Sequence, residues 1–153
     1  MLLNIGPKDD GGIQSWQAKI MERIGKWMKK HGESIYGCGG EWQLPFNSGL
    51  APWITTRKRN ILYMHLIRYP GESFSIANLH DYWLKAAEIL DTGKELKIIH
   101  EPTRDIITGL PRRSPDDITT VVKLIIRYKR QSEQNEKRII ALDDPESILK
   151  IYV

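Results

Sequence analysis

The sequence predicts a mainly β fold, an antiparallel β-sandwich preceded by one strand–helix unit. Three observations carry this expectation. Seven short apolar segments between residues 53 and 127 are split by turn residues at close spacing, the pattern of two packed antiparallel sheets. A segment near the N-terminus repeats its apolar residues at the helical period. The composition, 41% hydrophobic and 27% charged over 153 residues, is that of a globular chain long enough for one substantial core.

The elements follow in order. Residues 2–5 form an almost uniformly apolar run, which suits a strand covered on both faces, as in parallel sheets. A loop follows, Gly6-Pro7-Lys8-Asp9-Asp10-Gly11-Gly12. Ile13, Trp16, Ile20, Ile24 and Trp27 then fall at spacings of 3, 4, 4 and 3, one stripe of an amphipathic helix. Lys19, Glu22, Arg23, Lys26, Lys29 and Lys30 fill the opposite side. Lys29, Lys30 and His31 suit the negative end of the helix dipole, and Gly32 is the expected left-handed residue after it. Beyond the glycine-rich stretch 37–40, strands are expected at 53–56, 61–67, 74–77, 85–90, 96–100, 105–108 and 119–127. Arg59-Asn60, Pro70-Gly71, Asn78, Thr92-Gly93, Pro102 and Leu110-Pro111 supply the turns. Segment 61–67 is apolar in both phases of the alternation and is expected at the centre of its sheet. A polar run, 129–138, precedes two last apolar segments, 139–142 and 148–153, separated by Asp143-Asp144-Pro145.

One feature is out of place in a sandwich. A buried strand feeding a helix needs a parallel neighbour reached through a crossover. The strands that follow read as antiparallel. The N-terminal unit is therefore expected to be the end of a larger assembly whose beginning lies before Met1.

Several chemistries lack a motif. Gly6 and Gly11 have the spacing of a phosphate loop, but Gly12-Ile13 follow instead of Lys-Ser/Thr, and Pro7 removes a backbone donor. His31, His65, His80 and His100 are scattered, with no paired spacing for a metal, and no cofactor is expected. His31 is expected at the helix end and His65 as a satisfied core or edge histidine. The carboxylate pairs Asp9-Asp10, Asp116-Asp117 and Asp143-Asp144 lie in turns, where side chain to backbone hydrogen bonding is their ordinary role. Cys38 rules out an internal disulfide and is expected to be a free thiol. The net charge is +4 (23 Lys and Arg against 19 Asp and Glu). The basic clusters Arg57-Lys58-Arg59, Arg112-Arg113 and Arg127 to Arg130 sit at strand ends and turns, so no nucleic-acid partner is expected. No stretch approaches the ~20 apolar residues of a membrane span, and the first residues do not form a signal peptide. Trp42, Trp53 and Trp83 could stack on sugar rings or fill the sandwich.

The N-terminal third carries a specific resemblance. The stretch from Leu2 to Ile13, then Ile24-Gly25-Lys26-Trp27-Met28, then His31-Gly32-Glu33-Ser34-Ile35-Tyr36-Gly37, resembles the α-L-fucosidases of glycoside hydrolase family 29. There a "LLNIGP–DG–I" strand and turn precede an "IG-WL" helix, and a "NGEAIYG" segment leads to a C-terminal sandwich. Met28, His31 and Ser34 replace leucine, asparagine and alanine of that pattern, and Gln14 stands where proline is common. The resemblance covers residues 1–37 strongly and continues more weakly over 41–128, through Thr56 to Tyr63.

The resemblance implies three parts: residues 1–37 as the last strand and helix of a (β/α)8 catalytic barrel, 38–128 as the C-terminal sandwich, and 129–153 as a charged linker and tail. It implies a retaining hydrolase of α-L-fucosides with an aspartate nucleophile and a glutamate acid/base on earlier barrel strands. Neither has a counterpart in this chain, so no catalytic residue carries over and the chain alone is expected to be inactive. Barrel active sites lie at the C-terminal ends of the strands. Asn4, Ile5, Gly6 and Pro7 would then border the substrate pocket. The implied partners are the remainder of the barrel and, through the parent enzyme, a fucosylated glycan. Left alone, the chain is expected to self-associate through unpartnered apolar surface. Members of the family are often secreted, periplasmic or lysosomal, and nothing in this chain selects among these. Two other readings are a glycan-binding module and a subunit that completes a separately encoded barrel.

Overall fold

A computed structural model gives the structure, and it describes residues 6–40, 52–77 and 82–128. The expected strand at 2–5, the turn at Asn78 and everything from 129 to 153 lie outside the described residues.

The helix α1 spans Ser15–His31, with Lys29, Lys30 and His31 in its last turn as the dipole favours. It passes into a single 3-10 turn, Gly32–Ser34. Gly32 is right-handed, with φ −56°, so left-handed freedom is not why glycine stands there. A Cβ at this position would meet the Tyr36 ring at 2.8 Å, so a side chain there would have to displace that ring.

Eight strands follow: β1 (Gly39–Gly40), β2 (Trp53–Lys58), β3 (Ile61–Leu66), β4 (Ser73–Ala77), β5 (Tyr82–Ile89), β6 (Lys94–His100), β7 (Arg104–Thr108) and β8 (Thr120–Tyr128). All pairings are antiparallel, in the order β1-β2-β3-β8-β5-β6-β7-β4. The expected sandwich arises from one sheet that curls. Strand β6 makes the corner: Lys94, Glu95 and Leu96 pair with β5, whereas residues 97–100 pair with β7. Trp53 near one end of the sheet meets Phe74 at the other, with ring centroids 6.0 Å apart.

The core fills the fold of this curl. Leu62, Met64 and Leu66 of β3, Val122, Leu124 and Ile126 of β8, and Leu84, Ala87 and Ile89 of β5 face Phe74, Ile76, Leu96 and Ile107 across it. Each fully buried aliphatic side chain contributes about 1.5–3 kcal/mol relative to exposure. In β5 the pairing register shifts between Leu84 and Ala86. This irregularity leaves Lys85 and Ala86 both exposed and returns Ala87 and Ile89 to the core side.

Strand β3 is central, between β2 and β8, and buried on both faces. Its second face, with Tyr63 and His65, meets the C-terminal end of α1 and the turn after it. That explains why 61–66 is apolar in both phases.

Candidate functional site

The segment joining residue 6 to α1 is a tight turn. Pro7 and Ile13 form an isolated antiparallel bridge. The Lys8 amide donates to the Gly12 carbonyl at 2.7 Å, the Gly11 amide to the Lys8 carbonyl at 2.9 Å, and the Gly12 amide to Asp10 Oδ1 at 2.8 Å. Gly11 sits at φ +77°, where glycine is favoured. Three amides that a phosphate cradle would need are thus spent within the turn. Asp10 serves as a turn carboxylate, as its sequence position suggests. Gly6 and Pro7 are exposed, and Gly6 lies beside Gln17 of the helix. Asn4 and Ile5 lie outside the described residues. Gln14 caps the helix without a side-chain cap bond, and its Oε1 instead accepts from Trp16 Nε1 at 2.7 Å.

The first turns of α1 keep their apolar stripe in solvent: Ile13, Trp16 and Ile20 are 53%, 56% and 49% exposed. Of the tryptophans, Trp53 packs against the core and tilts onto Phe74. Trp83 faces outward on β5, opposite Arg127 in register. Trp42 lies outside the described residues.

The other end of α1 is joined to the sheet by a polar seam. Trp27 Nε1–H donates to the Thr119 carbonyl at 3.1 Å, and its ring stacks on His31 at 4.8 Å between centroids and 22° between planes. Ser34 Oγ–H donates to the His31 carbonyl at 2.6 Å, and the Thr56 hydroxyl donates to the Ser34 carbonyl. With its proton so used, Thr56 Oγ1 accepts from His65 Nε2 at 3.1 Å. Burial, joined by the nearby His31, pulls His65 down to about 4, so it is neutral at pH 7. His65 is therefore a satisfied interior histidine.

A charged group flanks the seam. Lys123 Nζ lies 3.2 Å from a carboxylate oxygen of Glu33 and 3.2 Å from one of Glu88. Tyr63 donates its hydroxyl to Glu33 at 3.2 Å. Burial and the Glu33 charge push the Tyr63 phenol well above its ordinary range. Burial pulls Lys123 down, but its hydrogen bonds to Glu33 and Glu88 outweigh that and hold it above the usual value. Burial likewise raises the Cys38 thiol, against the lowering effect of Lys58, so this cysteine is not an activated nucleophile. These contacts hold helix to sheet.

Two turns complete the helix end. Asp116 Oδ1 accepts from the amides of Ile118 (2.8 Å) and Thr119 (3.2 Å), again the turn role expected from sequence. Asp91, after β5, pairs with Lys30 Nζ at 3.5 Å. Among the described residues, His31, Asp91 and Asp116 form the one group that could hold a metal ion. Sequence spacing could not reveal it, because its members lie on three separate elements. No helix among the described residues is long and apolar enough to cross a membrane.

Comparison with known proteins shows what the chain is similar to. The family profile described as Alpha-L-fucosidase matches residues 1–33. Tissue alpha-L-fucosidase of Rattus norvegicus is 28% identical over 118 residues, covering 74% of this chain and 25% of that protein. Among solved structures, alpha-L-fucosidase isoenzyme 1 from Paenibacillus thiaminolyticus superposes with a TM-score of 0.68 and 30% identity, over 83% of this chain and 30% of that one. The Thermotoga maritima alpha-fucosidase, solved with a mechanism based inhibitor, gives 0.67 and 28%, over 81% and 30%. The chain spans about a quarter of the length of the curated relatives it matches.

Proposed function

Because this chain is related to the C-terminal part of the α-L-fucosidases of glycoside hydrolase family 29, we propose that it is the C-terminal portion of a glycosidase that hydrolyses α-L-fucosides of glycans. In this reading residues 1–37 close a (β/α)8 barrel, 38–128 form the accessory sandwich, and 129–153 are a tail. The partner of the chain is the remainder of that barrel, and the glycan is met through the parent enzyme.

The observation that carries the proposal is the continuity of the likeness. It runs from the first turn through the helix and across the sheet, yet takes up only 30% of the Paenibacillus chain. The exposed stripe of Ile13, Trp16 and Ile20 fits the reading, because an amphipathic helix ordinarily buries such a face. In a barrel closed by these residues, Asn4, Ile5, Gly6 and Pro7 lie at the substrate end, where strand ends carry the chemistry. The chain supplies positioning, not the carboxylate pair that retention requires.

The test is hydrolysis of an aryl α-L-fucoside by the purified chain and by the chain co-expressed with a fucosidase barrel lacking its last strand and helix. The proposal expects no turnover from the chain alone and turnover from the pair. Hydrolysis by the chain alone would overturn it.

A further inference from the structure

Independently of the fucosidase reading, we propose that His31, Asp91 and Asp116 form a binding site for a divalent transition metal of the zinc type, at the junction of α1 with the sheet. One ligand-capable atom from each residue lies within 4.8 Å of the other two. Ligand atoms around a tetrahedral Zn²⁺ stand about 3.3 Å apart, given metal–ligand distances of about 2.0–2.1 Å. A contraction of roughly 1.5 Å or less therefore completes the site.

The second observation is His31 itself. The residue is wholly buried, and its Nε2 has no hydrogen-bond partner. A carbonyl can only accept, so the 3.1 Å contact with the Trp27 carbonyl makes Nδ1 the donor. In the neutral ring the lone pair is then on Nε2. A metal-bound histidine ordinarily has one ring nitrogen tied to a backbone carbonyl, which fixes tautomer and plane, as Nδ1 is here, and the other left with a lone pair for the ion. A buried polar atom without a partner is costly and calls for a specific cause. A bound cation supplies one.

The surroundings agree. Asp116 is held in place by the Ile118 and Thr119 amides. His31 ends α1, where the helix dipole favours positive charge. Lys30 already brings a cation to Asp91, at 3.5 Å, and its side chain is 56% exposed, so it can swing away. A cleft of about 270 Å³ between α1 and residues 115–118 borders Asp116 and Trp27, and Arg23, Lys26 and Lys30 line its other side. One imidazole with two carboxylates suits Zn²⁺ and its neighbours, whereas Ca²⁺ and Mg²⁺ prefer all-oxygen sets.

The experiment is titration of the chelator-treated 153-residue chain with Zn²⁺ by calorimetry, with far-UV circular dichroism confirming the fold of every variant. One equivalent is expected to bind and to raise Tm by roughly 5–10 °C at free metal about a hundredfold above Kd. Asp91→Asn and Asp116→Asn, which keep size and shape, are each expected to weaken binding at least about tenfold. Lys30→Met removes the competing ammonium and is expected to tighten it several-fold, and Cys38→Ser to leave it unchanged. Absence of a saturable site in the folded chain would overturn the proposal. So would binding that survives both aspartate variants or disappears with Cys38→Ser, since the ion would then be held elsewhere.

Discussion

Trp27 joins the helix to the sheet, and its removal can be costed. Trp27→Ala deletes a half-buried indole, its stacking on His31 and its hydrogen bond to the Thr119 carbonyl. A fully buried tryptophan costs about 3–5 kcal/mol when cut to alanine, so a half-buried one costs about 2. The hydrogen bond adds about 1 kcal/mol and the ring stacking about 0.5. The sum is about 3.5 kcal/mol, or a fall in Tm of roughly 7–14 °C for a chain of this size. Trp27→Phe keeps a ring on His31 and loses only the hydrogen bond, for about 1 kcal/mol. Urea unfolding followed by circular dichroism gives the totals. Amide hydrogen exchange gives the location, because α1 should lose protection while the β3 and β8 amides in the core keep most of theirs. If Trp27→Ala unfolds within about 0.5 kcal/mol of the parent, or α1 stays as protected as before, the seam does not anchor the helix and the reasoning fails.

Two further predictions follow from the same structure. His65 titrates at about 4 in the fold against 6.5 when unfolded, so below pH 6.5 the unfolded chain takes up a proton that the native chain refuses. The His65 contribution to stability is level above pH 6.5 and falls by roughly 2–3 kcal/mol between pH 6.5 and about 4, and His65→Gln should reduce the slope in urea titrations across this range. Ile13, Trp16 and Ile20 form an exposed apolar stripe, so the isolated chain should bind a hydrophobic dye and sediment in part as oligomers. Replacing all three by serine should abolish both, and dye binding that persists would place the sticky surface elsewhere.

The strands were legible because their ends are chemically marked. Thr92-Gly93 and Arg59-Asn60 break the apolar runs, and the observed strands begin and end within about three residues of where such turns place them. The helix was legible from its period, but its stripe belongs to two environments. Trp27 meets the sheet, whereas Ile13 and Trp16 face solvent, and periodicity does not distinguish one partner from another. Strand β1 escaped notice because two glycines carry no alternating pattern. The insertion of β8 between β3 and β5 is a long-range pairing that local residues do not encode. Gly32 is the residue expected in a left-handed C′ position, but its backbone is right-handed, and a Cβ there would meet the Tyr36 ring. The group around His31 is hidden because Asp91 and Asp116 lie in turns far along the chain, and the antiparallel pairing of β5 with β8 brings those turns together at the helix end.

The proposal that this chain is one part of a larger glycosidase is tested most directly by the sequence of the reading frame upstream of the Met1 codon. The account predicts that the frame stays open for about 200 or more further residues, the order of a barrel domain, and encodes its strands together with an aspartate and a glutamate at their C-terminal ends. An in-frame stop with a start signal immediately before Met1 would contradict it.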